Sequence, residues 1–214
     1  MSWNWSLWRR DSSMKLHLAS GNAYKAAEFS ALAQADGLPV EVVPTHGAGG
    51  MPPVVEDGGT FSGNARKKAR ALRSTLHAGS WVLADDSGLC VAALDGAPGV
   101  ESAYYAGPQG DSAANLRKLT DVMRGVPAER RQAYFTCALV LIDPAGGEHE
   151  FEGRCDGTLR DAPAGTGGFG YDPLFVPAGQ SQSFADLPEA VKNTLSHRGR
   201  AWARLADWLR GRAG

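Results

Sequence analysis

Three things are scarce in this chain of 214 residues, and each scarcity removes a class of function. No apolar run approaches the roughly 20 residues needed to cross a bilayer, so no membrane partner is expected. A charge excess is missing as well. Lys and Arg number 22 against 23 Asp and Glu, a formal net charge of −1 that lacks the basic footprint duplex nucleic acid requires. Phosphate binding should therefore be local, and no nucleic-acid partner is expected. Cysteine is sparse: Cys90, Cys137 and Cys155 are odd in number and far apart, which fits neither a disulfide framework nor a zinc site. They read as core or strand residues in a reducing, cytoplasmic setting. The opening MSWNWSLWRRDSS carries three Trp but neither the continuous apolar region nor the small-residue cleavage site of a secretory signal, so residues 1–13 read as a disordered extension.

What is present is a mixture of βα units and hairpins. Met14 to Ala19 alternates as a strand does, and Ala23 to about Asp36 has helical spacing, with Ala26, Phe29 and Ala33 on one stripe and Gly37 ending it. Val40 to Val43 reads as a short strand, Thr60 to about His77 as a helix rich in cations, and Trp81 to Ala84 as a buried strand. Asp111 to Met123 is a capped helix. Gln132 to Ile142 alternates strictly, DPAGG turns it, and EHEFEGRC returns, which makes a long antiparallel hairpin. A last helix covers roughly Arg198 to Arg210. The expected architecture is α/β: a central mixed, twisted sheet with flanking helices, and two lobes around a cleft within one domain over residues 14–210.

Four segments carry chemistry. In LASGNAYK, Asn22 is a good N-cap and puts Lys25 in the first turn of a helix, where the partial positive charge disfavours a cation. Either an anion sits over Ser20, Gly21 and that turn, or Lys25 is an ordinary solvated lysine. Lys25→Ala is expected mainly to weaken binding of that anion and slightly to stabilise the free protein, by relieving a cation at a helix N-terminus. In VLADDSGL, Asp85 and Asp86 are expected where a strand emerges into a loop, with Ser87 and Gly88 as the turn. Two adjacent carboxylates there suit Mg²⁺, with Glu56 or Asp57 as a further ligand, or else form a polar turn that caps a neighbouring N–H. In FSGNARKKARAL, helical geometry puts Asn64 and Lys68 on one face, which singles out Lys68 among cations that are mostly solvated. In GTGGFGYDPLF, the glycines allow close backbone approach, and Phe169 and Tyr171 either stack on a planar base or pack on the core. Downstream, Lys192, His197 and Arg198 either are structural or donate to a carbonyl on a base edge.

Together SGNAYKAAE, TFSGNARKKA, ADDSGL, GAPGVESAYYAG, GTGGFGYDPLF and KNTLSHRGRA, in this order and spacing, closely resemble the inosine triphosphatase-like family of nucleoside triphosphate pyrophosphatases. The likeness runs from about Met14 to Leu209. It implies the inosine triphosphatase-like fold and hydrolysis of ITP, dITP and XTP to the monophosphate and pyrophosphate, with Mg²⁺, in a homodimer. It further implies triphosphate contacts from Ser20, Gly21, Asn22, Ala23, Tyr24 and Lys25, joined by Lys68 and Lys192. Asp86 resembles the general base and a metal carboxylate, Ser87 a substrate contact, and Phe169, Gly170, Tyr171 and Asp172 the base-binding loop. His197 and Arg198 resemble the readers of the 6-oxo edge. Two positions depart from the pattern. Val55 stands where the family often has the first of two glutamates, which leaves Glu56 as the glutamate candidate for the metal, and Tyr104 stands where many members have arginine. A sensor that binds a purine triphosphate without cleaving it is the competing class, and a Maf-like pyrophosphatase the competing enzyme, although the Maf motifs are absent.

Overall fold

The computed structural model describes residues 13–45 and 50–212. The extension expected over residues 1–13 lies, Ser13 apart, outside them. The elements are β1 (Met14–Leu18), α1 (Ala23–Ala35), β2 (Val40–Pro44), α2 (Phe61–Arg73), β3 (Trp81–Val91), α3 (Ser112–Val122), β4 (Gln132–Ile142), β5 (Glu148–Leu159), β6 (Phe175–Pro177), α4 (Glu189–Leu195) and α5 (His197–Gly211). One six-stranded sheet has the order β2-β1-β3-β4-β5-β6. β1 runs parallel to β2 and β3, and β6 antiparallel to β5, so the sheet is mixed and the architecture is the expected α/β one.

The chain forms two compact units. Of the described residues, those from 13 to 86, 138–152 and 200–212 make the first, and 87–137 and 153–199 the second. The core of the first is built on small residues: Ala65, Ala69 and Leu72 lie along one stripe of α2 and meet Ala19, Val82, Ala84, Val140 and Ile142. Alanine at one-turn spacing lets the helix approach the strands closely, which matters because α2 also delivers polar side chains. α5 meets α1 through Trp202, whose ring lies 5.9 Å from Phe29 and whose indole N–H donates to the Asp36 carboxylate at 2.7 Å. The core of the second unit is aromatic. Phe135 and Phe175 meet edge to face at 4.8 Å, Phe175 and Phe184 pack at 5.1 Å, and Leu119 and Met123 bring in α3.

Two elements differ from the sequence reading. β3 does not stop at Ala84 but continues through Asp85, Asp86, Ser87 and Gly88 to Val91, so this stretch is strand and not turn. Asp, Ser and Gly favour turns locally, but every residue of β3 except Ser87 is buried, and a buried backbone must complete its hydrogen-bond ladder. The helix expected from Thr60 to His77 is shorter, Phe61–Arg73, with the Thr60 hydroxyl accepting the Gly63 N–H at its start. α4 was not anticipated as a separate helix. It ends where Ser196 caps α5 by accepting the Gly199 N–H at 3.0 Å. Cys90, Cys137 and Cys155 are all buried and all on strands, as read from their spacing.

Candidate active site

Alternation along β3 sends neighbouring side chains to opposite faces, and this separates the two aspartates. Val82 and Ala84 face α2, so Asp86, two residues on, faces it too. There the Lys68 ammonium lies 2.6 Å from Asp86 Oδ1 and 3.0 Å from Glu56 Oε2, and the Asn64 amide donates to Asp86 Oδ2 at 3.3 Å. Asn64 and Lys68 are one helical turn apart, as their shared outlook on α2 required. Asp85 faces the other way and is paired with Lys25 of α1. The side chain of Asp85 is fully buried, so this lysine neutralises a charge that has no access to water.

That pairing explains a cation in the first turn of a helix. Asn22 caps α1, its side-chain oxygen accepting the N–H groups of Tyr24 at 2.9 Å and Lys25 at 3.3 Å. The cost of Lys25 near the positive end of α1 is set against the larger cost of leaving Asp85 bare. The expectation that removing Lys25 would stabilise the protein is therefore overturned. Ser20 is tied into the same turn: its hydroxyl accepts the Asn22 N–H at 3.1 Å, and its carbonyl accepts from Thr45 at 3.0 Å. Gly21, Asn22, Ala23 and Tyr24 are exposed.

Electrostatics follow from burial. Desolvation lifts the Asp86 carboxyl to about 6, against the pull of Lys68 and Lys25 and with a further push from Glu56. Burial alone would lower Lys68, but the carboxylates of Asp86 and Glu56 outweigh it and hold its pKa above the ordinary value. The other cations of α2 are elsewhere. Arg66 and Arg70 pair with Glu148 at 3.2 and 2.6 Å, and Lys67 pairs with Asp57 on the surface. Glu56 and Asp86 converge on one ammonium, so this pair of hard oxygen donors already faces a common cation. Among the described residues no group of three His, Cys, Asp or Glu side chains could hold a metal ion. Two carboxylates that converge on one ammonium can hold a hard divalent cation in its place, with water and phosphate as the remaining ligands.

The second unit holds the remaining candidates. Gly168, with φ +68°, brings the loop over Asp172 so tightly that a Cβ there would lie 2.1 Å from the carboxylate. Asp172 accepts the Phe169 N–H and the Lys192 ammonium, both at 2.8 Å, and so fixes the loop bearing Phe169 and Gly170 to α4. The Lys192 ammonium and the Arg198 guanidinium each lie 5.5 Å from the centre of the Phe169 ring. Arg198 donates to the Ser87 hydroxyl at 2.8 Å. His197 stacks on Phe135 at 4.7 Å with an interplanar angle of 11°, which holds its imidazole flat against the core. Tyr171 does not offer a face for stacking. It is buried, and its hydroxyl donates to the Ser102 carbonyl at 2.8 Å, so the core-packing alternative holds for this ring. Tyr104 and Val55, the two departures from the family pattern, are 47% and 75% exposed.

The sequence reading missed three partnerships: Lys25 with Asp85, Phe135 with His197, and Asn64 with the Gly58 N–H, which it accepts at 2.9 Å. The alternation of β4 does place Phe135 on the core face. No local signal says that a histidine more than sixty positions later stacks on it.

With this geometry in place, the comparisons agree with the motifs. The model of the Ham1 family matches residues 16–208. A dITP/XTP pyrophosphatase from Opitutus terrae is 62% identical over 201 residues, covering 92% of this chain and 99% of the relative. Another dITP/XTP pyrophosphatase, from Streptomyces coelicolor, is 45% identical over 196 residues, covering 92% and 97%. Among solved structures, a HAM1 protein from Coxiella burnetii superposes with a TM-score of 0.80 at 34% identity, covering 92% of this chain and 99% of that one. A nucleoside-triphosphatase / dITP/XTP pyrophosphatase from Mycobacterium abscessus gives 0.69 at 43% identity, covering 92% and 100%.

Lys25→Met tests the first pairing. Breaking a buried ion pair from one side costs about 3–5 kcal/mol, so chemical denaturation of the ligand-free protein should show a loss of that size. The double variant Lys25→Met/Asp85→Asn should recover most of it. Unchanged stability of the single variant would contradict the pairing.

Proposed function

Because the chain belongs to the Ham1 family, we propose that it is a nucleoside triphosphate pyrophosphatase that hydrolyses ITP, dITP and XTP to the monophosphate and pyrophosphate. Its role is then to remove deaminated purine nucleotides from the precursor pool, as a homodimer in the cytoplasm. The observation that carries this reading is the constellation around Asp86: a buried carboxylate held by Lys68 and Asn64 with Glu56 beside it, its basicity raised by burial. A positioned carboxylate of raised basicity suits a general base that takes a proton from water.

The reaction is in-line attack of water on the α-phosphorus with pyrophosphate leaving, and it needs no covalent intermediate. Asp86 orients the water and accepts its proton. Lys25 and Lys68 hold the triphosphate together with the first turn of α1, whose N–H groups favour an anion. Lys192 stabilises the departing charge, and Ser87 contacts the substrate. Glu56 and Asp86 would hold Mg²⁺, which when bound neutralises phosphate charge and lowers the pKa of bound water. Phe169, Gly170 and Asp172 form the base-binding loop, braced from the core by Tyr171. His197 and Arg198 read the 6-oxo edge. We further propose that residues 14–210 act as one domain. In support, the chain passes from one unit to the other inside β3, β4 and β5.

A binding-only sensor would have no use for a carboxylate of raised basicity beside the phosphate residues. A panel of nucleoside triphosphates assayed separately for pyrophosphate and orthophosphate decides between the two. Pyrophosphate should appear from ITP, dITP and XTP, and orthophosphate alone, or neither, would contradict the reading. Within that assay Asp86→Asn should lower kcat by about 10²–10⁴-fold while nucleotide binding persists, because the amide keeps the shape and loses the proton acceptor. Near-full activity would move the role to another group.

Selectivity rests on hydrogen-bond polarity. Hypoxanthine and xanthine present an acceptor at position 6 and adenine a donor, whereas a guanidinium offers donors only. A site built to bond one substrate group can reject an analogue by roughly 10⁴-fold. Arg198→Ala should therefore lower kcat/KM for ITP far more than for ATP and narrow the ratio between them. A wild-type ratio in the variant would remove Arg198 from base recognition.

A further inference from the structure

We propose that Asn64 is a positioning residue for the hydrolysis, a clamp whose single amide group sets both the plane of the Asp86 carboxylate and the place of the acidic loop that carries Glu56. The inference rests on the proposed pyrophosphatase reading and deepens it.

Asn64 is 1% exposed, among the most buried polar residues of those described, and both ends of its amide are engaged. Its carbonyl oxygen accepts the Gly58 N–H at 2.9 Å, and its amino group donates to Asp86 Oδ2 at 3.3 Å. The approach to the loop is close. A Cβ on Gly58 would lie 2.9 Å from Asn64 Oδ1 and 2.7 Å from the Gly63 carbonyl carbon, so glycine is the residue this contact permits. Two residues before Gly58 is Glu56, whose carboxylate shares the Lys68 ammonium with Asp86. Two side chains one turn apart on α2 thus tie the acidic loop to β3: Lys68 by charge and Asn64 by directed hydrogen bonds.

The two ties do different work. A lysine ammonium is a point charge on a flexible stem, so Lys68 lowers the energy of the Asp86 carboxylate without fixing its rotation. A planar amide held at its other end by backbone does fix it. With Oδ1 toward Lys68 and Oδ2 toward Asn64, the carboxyl plane of Asp86 is set, and with it the lone-pair directions available to a water molecule. Removing Asn64 leaves the negative charge in place but frees the carboxylate to turn, and the loop bearing Glu56 loses its anchor. Since misplacement by about 1 Å can cost about 10²-fold in rate, the loss falls on kcat. Asn64 is assigned no substrate contact, so affinity for nucleotide is spared.

Three variants and the wild type test this with ITP, using a non-hydrolysable ITP analogue for binding by calorimetry. Asn64→Ala removes both bonds. Asn64→Ser is too short to make both, and Asn64→Leu keeps the volume, adds no charge and loses both. The expected result is a fall in kcat of about 10–10²-fold for all three. KM and analogue affinity should stay at wild-type values. If Asn64→Ala does not fold, Asn64→Ser carries the test. A folded Asn64→Ser variant with wild-type kcat would overturn the proposal, as would kcat falling only in step with analogue affinity. A wild type that binds the analogue but releases no pyrophosphate would overturn the activity reading, and the role of Asn64 with it, which keeps the two failures distinguishable.

Discussion

Two adjacent aspartates inside a buried strand are the constraint from which the first unit is organised. Asp85 and Asp86 could not both stay ionised unless each met its own cation, and the alternation of β3 requires those cations to come from opposite faces. Lys25 supplies one from the first turn of α1, and Lys68 the other from α2. The small-residue stripe of α2, which packs Ala65 and Ala69 on the strands, brings the helix near enough for Lys68 and Asn64 to reach Asp86. A packing choice and an electrostatic one are thus met by the same helix.

The two pairs differ in what they leave available. Asp85 is enclosed and is neutralised by Lys25, whose side chain stays partly exposed. Asp86 shares its lysine with Glu56 and keeps a pKa near 6, which gives one buried, structural carboxylate and one of raised basicity on consecutive residues. The division between the compact units falls immediately after Asp86. In the second unit Asp172 has the organising role, holding the Phe169 backbone and the Lys192 ammonium with one carboxylate.

Much of this was legible in the residues. Period-two and period-3.6 patterns located β1, α1, α3 and the long hairpin, and the turn spacing of Asn64 and Lys68 predicted that they share a target. The strand through Asp85–Gly88 was not legible, because turn-forming side chains were read locally while the burial that overrides them comes from α1, α2 and the neighbouring strands. The same reason hid the partner of Lys25: a cation at a helix start looks anomalous until a carboxylate sixty positions away is placed beside it. Tyr171 misled through its type, since an aromatic beside glycines suits stacking on a base as well as packing on a core, and only its bond to the Ser102 carbonyl separates the two.

The central claim is that burial keeps Asp86 a stronger base than an ordinary aspartate. Its folded pKa of about 6 lies above the usual 3.8, so the folded protein holds a proton that the unfolded chain has already released. The ionised group therefore costs stability that grows as pH rises from the lower value through the higher one, and is present in full above it. Carbon-13 NMR of the aspartate carboxyls in metal-free, nucleotide-free protein, assigned with Asp86→Asn, measures this directly. A midpoint near 6 for Asp86 is the predicted result. A midpoint at the ordinary aspartate value would contradict it and remove the basis for assigning Asp86 as the proton acceptor.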